Sequence, residues 1–210
     1  MDKYQEILKR RGEAFYYVRL KKELSECKSV LDVGCGFDSP LGKFVKSFYS
    51  LGIDIYKPAV LKSKKKKIHD DYITGDIREI HKYFKNKSFD AVVSLDVIEH
   101  FEKREALKII NQMENIAKKK VILLTPNGYF HQEVLGGNIH QIHKSGWEAS
   151  EFQKMGYTVR GLRGLKYLRN EKVGIKYRPY LLWGFLSFIS EIILYPFPSL
   201  SFDLFAIKEI

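Results

Sequence analysis

Cysteine is scarce in this chain, with two in 210 residues. That excludes a disulfide-stapled scaffold, and Cys27 and Cys35 flank one apolar run without metal-finger or redox spacing. A reducing, cytoplasmic setting is the expectation. The opening Met1-Asp2-Lys3-Tyr4-Gln5-Glu6 holds no apolar run, so a secretory signal is not expected. The strongly apolar stretch 180–195 is short for a membrane span and carries Glu191. Repeats and linkers are missing. So are two phosphate-binding signatures. No Gly-x-x-x-x-Gly-Lys-Ser/Thr occurs, and Ser39 stands where a dinucleotide fingerprint starting at Gly34 and Gly36 would place its third glycine. Acid is the charge in deficit, 25 residues against 36 basic ones, for a net +11. That balance is compatible with nucleic acid, anionic lipid or an acidic substrate. Part of it is the run Lys62-Ser63-Lys64-Lys65-Lys66-Lys67, which has no interleaved aromatics of the kind a single-strand RNA groove needs; a solvated face is the simpler reading.

What is present suits one globular α/β unit: 45% apolar and 29% charged residues, with enough length for a sizeable core. Val30-Leu31-Asp32-Val33-Gly34-Cys35-Gly36 is an apolar strand suited to burial on both faces, followed by a turn whose glycines let backbone approach a ligand. Such a turn makes a pocket at the carboxyl end of the strand. Asp32 and Asp38 would repel a pyrophosphate there and welcome a ligand with a cationic centre and an amino group. Further strands run into acids: 50–55 into Asp54, 72–77 into Asp76, and within 89–100, a strand and the segment that follows it, into Asp96. A fifth, 121–127, is broken by Pro126. Helical periodicity predicts an amphipathic helix over 4–25, with Ile7, Leu8, Phe15, Val18 and Leu24 facing inward, and another over 102–119, with Leu107, Ile110, Met113 and Ile116. A helix opening at Ser145 and ended by Gly156, then strands at 157–162 and 202–207, complete the pattern. Strand and helix alternating up to Thr125 imply a parallel sheet with right-handed crossovers.

Val30 to Gly36 resembles the first motif of the class I S-adenosylmethionine-dependent methyltransferases, and the order of the later motifs is similar to that superfamily over nearly the whole chain. The resemblance implies an α/β, Rossmann-like three-layer sandwich with a mainly parallel seven-stranded sheet and an antiparallel C-terminal hairpin. It implies a single methyltransferase domain over 1–210: an N-terminal helix in 1–27, a cofactor-binding core in 28–164, and the hairpin with an apolar helical insertion in 165–210. The cofactor is expected to be S-adenosyl-L-methionine, leaving as S-adenosyl-L-homocysteine. Carried over residue by residue, Gly34 and Gly36 would leave room for the methionine part and Asp32 would stand near its ammonium. Asp54 would hold the ribose hydroxyls and Asp76 the adenine amine. Cys35, Ile55, Ile77, Ser94 and Leu95 would line the same site.

For the chemistry, a helix starting near Asp96 would put Asp96, Glu99 and His100 on one face, where a divalent cation such as Mg²⁺ or Mn²⁺ could bind. The set resembles the Glu-x-x-Glu-His metal site of the ubiquinone-biosynthesis O-methyltransferases and of the small-RNA 2′-O-methyltransferases, with His140 or His143 as a further ligand. The competing reading, in which Ile98-Glu99-His100 merely begins a helix, is preferred, so no metal is assigned. Thr125-Pro126-Asn127, a loop through Gly136-Gly137-Asn138, and His143-Lys144-Ser145-Gly146-Trp147 resemble one branch of the superfamily. His143 is the expected general base or substrate contact, unless it only fixes the loop. The segment 180–195 would cover the domain's own core or the pocket, form a dimer surface, or dock on a bilayer with Arg163, Arg169, Lys172 and Lys176 nearby. The expected activity is methyl transfer to a small-molecule or lipid- or glycan-linked acceptor. A metal-dependent RNA 2′-O-methyltransferase and a non-catalytic cofactor-binding module are the alternatives.

Overall fold

The computed structural model describes residues 3–44, 46–132, 139–170 and 174–210, with side chains from residue 13 onward. Gly136, Gly137, Asn138 and Lys172, and the side chains of Ile7 and Leu8, lie outside the described residues. One seven-stranded sheet organises the chain. Its strands are β1 (Ser29–Val33), β2 (Tyr49–Asp54), β3 (Asp71–Thr74), β4 (Phe89–Leu95), β5 (Ala117–Pro126), β6 (Thr158–Leu165) and β7 (Ser201–Glu209), in the order β3-β2-β1-β4-β5-β7-β6. The first five pair in parallel, and β7 runs antiparallel between β5 and β6.

The central strands are apolar on both faces, and alternate residues divide between two cores. Leu31, Val33, Val92, Val121 and Leu123 enter one of them, with Ile109, Ile110 and Met113 of helix α3 (Lys103–Ile116) and Phe152 of α4 (Ala149–Lys154). Val30, Ala91, Val93, Ile122 and Leu124 enter the other, against Tyr16, Leu20 and Leu24 at the end of α1 (Lys3–Glu23). This is the both-faces burial that a parallel sheet requires.

Several expected details shift for local reasons. In α1 the buried stripe is Tyr16, Leu20 and Leu24, one turn apart, and Val18 lies on the opposite face in solvent. Helix α3 stops at Ile116 rather than near 119, because Ala117 and Lys120 already pair with Phe89 and Ala91 of β4. Leu107 is out of phase with the buried Ala106, Ile109, Ile110, Met113 and Ile116, and is exposed. Full helices connect β2 to β3 (α2, Lys57–Lys65) and β4 to β5, but β1–β2 and β3–β4 cross through 3-10 turns at Pro40–Lys43 and Ile77–Lys82. Gly34, Gly36, Pro40 and Gly42 leave little helical propensity in the first crossing.

The apolar stretch forms α5 (Tyr180–Leu194) between β6 and β7. Its buried residues are Gly184, Ser187 and Glu191, while its leucines, isoleucines and phenylalanines, Leu194 excepted, are exposed. The helix therefore does not cover the domain's core with its apolar side. A close approach makes the inversion feasible: Gly164 has φ +69°, and a Cβ there would sit 2.3 Å from the Ser187 carbonyl oxygen. Among the described residues no helix is long and apolar enough to cross a membrane.

Candidate cofactor and acceptor site

A cavity of about 800 Å³ opens above the carboxyl ends of β1 to β4. Nine of the residues expected for the cofactor line it: Asp32, Gly34, Cys35, Gly36, Asp54, Ile55, Asp76, Ile77 and Leu95. Ser94 does not; it is fully buried within β4, because successive side chains on a strand point to opposite faces.

The loop after β1 is held open by its own chemistry. Gly34 has φ +78°, and a Cβ there would lie 2.6 Å from both Val97 methyl carbons, so backbone forms the cavity floor. Asp54 fixes the loop from β2: it accepts the Gly36 N–H at 2.9 Å on one oxygen and the Tyr56 N–H at 2.8 Å on the other. Burial pushes the Asp54 carboxyl up, and these two N–H donors pull it back toward the charged form. Asp32 is buried, accepts from the Ser39 hydroxyl at 2.5 Å, and has His69 Nε2 3.3 Å away. Asp76 begins the next 3-10 turn and is gripped by Arg78, whose Nη2 lies 2.6 Å from its carboxylate; that bond holds Asp76 below the usual carboxylate range. His69 and Arg78 have no signal in the sequence, and Ser39 stands out there only as the missing third glycine, not as a partner of Asp32. Each lies far from its partner strand's motif or carries no pattern of its own.

The other half of the cavity is bounded by Tyr16, Tyr17, Asp96, His100, Lys144 and Arg163. The Tyr16 hydroxyl is buried without a hydrogen-bond partner among the described residues. Arg163 reaches the cavity from a bulge in β6, where the register shifts between Leu162 and Leu165 and Arg163 itself has φ +60°. A bulge of this kind re-aims a side chain. The guanidinium pairs with Asp203 of β7 at 2.5 Å and lies 3.8 Å from Asp96, which also has positive φ (57°). Burial alone would lower the Arg163 pKa, but Asp203 and Asp96 outweigh it and keep the guanidinium charged. Tyr16 and Tyr17 carried a legible signal, since Tyr16 is four residues before Leu20 and eight before Leu24. Arg163 carried none.

No helix starts at Asp96. Ile98–His100 is a single 3-10 turn, and the Asp96 carboxylate lies 3.8 Å from the Arg163 guanidinium rather than among the converging ligand atoms of Glu99, His100 and His143. Glu99, His100 and His143 do converge, with potential ligand atoms within 4.8 Å of one another. His140 lies apart from this group, lining the cavity. Two imidazoles and one carboxyl do not make the oxygen-rich shell that Mg²⁺ prefers. Burial, followed by the Asp96 charge, raises the Glu99 carboxyl well above its ordinary range; it accepts a hydrogen bond from Thr125 Oγ1 at 3.1 Å. The residues present do not fit the Mg²⁺ site that the spacing suggested.

His143 is buried and does not line the cavity. Its Nδ1–H donates to the Phe130 carbonyl at 2.8 Å, and its ring lies 5.0 Å from that of His100. The imidazole that does reach the cavity is His100, whose pKa is lowered to about 4 by burial and by neighbouring His143. The rest of the motif is an anchor. Asn127 donates to the carbonyls of Pro198 and Ser201, the Glu99 carbonyl accepts from the Ser145 N–H, and Trp147 stacks on Phe152 at 5.0 Å.

The His100 shift has a stability consequence. The unfolded imidazole binds a proton near pH 6.5, and the folded one only near 4. Its contribution is therefore complete above pH 6.5 and is lost as pH falls toward 4, because the unfolded state takes up the proton first. The urea midpoint is expected to drop over that window, and to drop less steeply in His100→Gln. Parallel profiles for the two proteins would contradict this reading.

The geometry fits a nucleoside carrying a cationic amino-acid tail, with carboxylates at three successive strand tips around a backbone floor that a Cβ would fill. Residues 31–129 match the family described as "Methyltransferase domain". Similar solved structures include a SAM-dependent methyltransferase from Archaeoglobus fulgidus, at 16% identity over 94% of each chain and TM-score 0.57. The methyltransferase domain of bacterial CtHen1 is 19% identical over 96% of this chain and 99% of that one, with TM-score 0.57. Magnesium protoporphyrin IX methyltransferase from Synechocystis PCC 6803, solved with bound SAM, is 17% identical over 99% of this chain and 85% of that one, with TM-score 0.55. At these identities the solved structures speak for the fold. Comparison with curated proteins finds no match. The fold is that of the Rossmann-like methyltransferases. With the methyltransferase-domain match over residues 31–129, from β1 to β5, this supports a transferase enzyme that uses S-adenosylmethionine.

Proposed function

We propose that the enzyme, as a single cytoplasmic domain, methylates an oxygen, nitrogen or carbon nucleophile of a small-molecule or lipid-linked acceptor. The acceptor would sit between Tyr16, Tyr17, Asp96, His100, Lys144 and Arg163. The carrying observation is that one cavity joins the three acid-tipped strand ends to this second, mostly polar wall. Its volume, about 800 Å³, lies in the upper part of the small-molecule range of roughly 300–1,000 Å³. Both cysteines are buried free thiols, which supports the reducing compartment.

Gly34 and Gly36 would admit the methionine part, Asp32 would face its ammonium, Asp54 the ribose and Asp76 the adenine edge. When bound, S-adenosylmethionine supplies an electrophilic methyl on a sulfonium, transferred in line as sulfur keeps the bonding pair. The protein's share is positioning and exclusion of water, which suffices for much of the acceleration in such a displacement. Tyr16, with its unmet hydroxyl, would orient the acceptor. His100 stays neutral at pH 7 and would accept a hydrogen bond from the acceptor's nucleophile, orienting it toward the methyl group. His143, anchored to Phe130, would act through His100 as a positioning residue. The RNA 2′-O-methyltransferase reading loses its main support, because Asp96 leaves the metal cluster for Arg163. The test pairs calorimetric titration of S-adenosylmethionine with transfer of labelled methyl into cell extract fractions. Tight cofactor binding and chelator-insensitive labelling of a small or lipid fraction are expected. Labelling confined to RNA and abolished by chelator would overturn the assignment.

A further inference from the structure

Helix α5 is amphipathic in the opposite sense to a core helix. Its polar and small residues Ser187, Glu191 and Gly184 lie on one side, against β6. There the Glu191 carboxylate accepts the Arg163 N–H at 2.8 Å, and the Ser190 hydroxyl accepts the Leu165 N–H at 2.9 Å. The opposite side is a continuous apolar arc that includes Leu181, Leu182, Phe185, Ile189, Ile192 and Ile193. Leu181, Phe185 and Ile193 are 61%, 60% and 59% exposed. No polar or charged side chain interrupts this arc, and Phe197 and Leu200 extend it beyond the helix. A patch of this kind on a surface marks a contact with something apolar.

The surroundings say what. Lys176 and Arg178 are exposed just before the helix, and the loop that carries them folds onto its first turns: Trp183 Nε1 donates to the Arg178 carbonyl at 3.2 Å, and the Tyr177 and Trp183 rings lie 5.4 Å apart. Lys166 flanks the middle of the helix, next to the Leu165–Ser190 hydrogen bond. Glu191, the one acid among the described residues of 160–200, is turned inward. An apolar helical face bordered by Trp, Tyr and basic residues is complementary to an anionic bilayer surface, where acyl chains receive the apolar arc and headgroups meet the cations. A second copy would bring the same basic border against itself, on a chain already at +11. A protein partner would find no hydrogen-bonding group along the arc, whereas protein interfaces normally carry about one per 100–200 Å².

We infer that α5 seats the enzyme in the plane of an anionic lipid surface. The inference is independent of the acceptor's identity. It has one consequence for it, since Arg163, held by Glu191 of α5, also lines the acceptor half of the cavity.

The full-length protein is to be co-sedimented with phosphatidylcholine vesicles with and without phosphatidylglycerol. Binding to the anionic vesicles is expected, about tenfold or more above binding to the neutral ones. The exposed-face variant Phe185→Glu/Ile189→Glu is expected to lose at least about tenfold of that binding while keeping its melting temperature and cofactor affinity. Brominated lipid is expected to quench Trp183 and leave the core residue Trp147 unaffected in a Trp183→Phe comparison. Absence of vesicle binding, equal binding by the variant, or equal binding to neutral vesicles would overturn the inference. So would a wild-type dimer that the variant dissociates without any vesicle binding, which would assign the arc to a second copy.

Discussion

Asp54→Ala is expected to weaken S-adenosylmethionine binding by about 100-fold or more, while the protein still folds. Two contributions add. The carboxylate would lose charge-assisted hydrogen bonds to two ribose hydroxyls, each worth about 1.5–3 kcal/mol, and about 1.4 kcal/mol is a factor of ten in affinity. The same carboxylate now receives the N–H groups of Gly36 and Tyr56. Without it the glycine loop loses its brace across β1 and β2, so the empty site becomes less preorganised as well. Asp54→Asn separates the two contributions. The amide can keep one oxygen acceptor for the loop but brings a donor where the ribose needs acceptors, so an intermediate loss is expected. Calorimetry on the three proteins decides the matter. An Asp54→Ala affinity equal to wild type would remove Asp54 from the cofactor site and, with it, the placement of the nucleoside above β2.

The strand tips were readable because their signal is local. A strand buried on both faces is an apolar run, and an acid or glycine directly after it can hardly be anything but its carboxyl end, so Asp32, Asp54 and Asp76 were placed by adjacency alone. Nine of the expected cofactor residues duly line one cavity. Ser94 was misplaced by a single step, because adjacency does not fix which face a strand residue takes. Phase errors in helices had the same origin: Val18 and Leu107 are apolar, but they lie off the stripes set by Leu20 and Met113.

The acceptor wall was legible only in part, for a different reason. Arg163 faces the cavity because β6 bulges, and a bulge depends on pairing with β7 some forty residues later in the chain. Asp96 stays out of the Glu99, His100 and His143 cluster, with a left-handed backbone that spacing which assumes a helix cannot foresee. In α5 the hydropathy is legible in the sequence, but the side to which the apolar residues turn is not. Core, pocket, dimer surface and bilayer all stay open for an apolar run, and the decisive contacts are those of Gly164, Ser187 and Glu191, which hold the polar side down.

Arg163→Leu is expected to destabilise the protein by about 3–5 kcal/mol, the usual cost of stripping one partner from a buried ion pair. For a chain of this size that corresponds to a fall in melting temperature of roughly 10 °C. Asp203 is the reason. Its side chain is inaccessible to solvent, and burial pushes its carboxyl up while Arg163, 2.5 Å away, draws it back toward the charged form. Without the guanidinium it must either stay charged in an apolar setting or take up a proton. The loss is therefore expected to shrink as pH falls, because protonation relieves the orphaned carboxyl. The double variant Arg163→Leu/Asp203→Leu removes both charges and is expected to recover most of the stability. It would not recover turnover, because the acceptor wall would still lack its cation. Cofactor affinity is expected to hold in both variants, since Arg163 lies on the opposite side of the cavity from Asp54 and Asp76. A double variant as unstable as Arg163→Leu would show that the guanidinium works through packing, and an active one would remove Arg163 from the acceptor site.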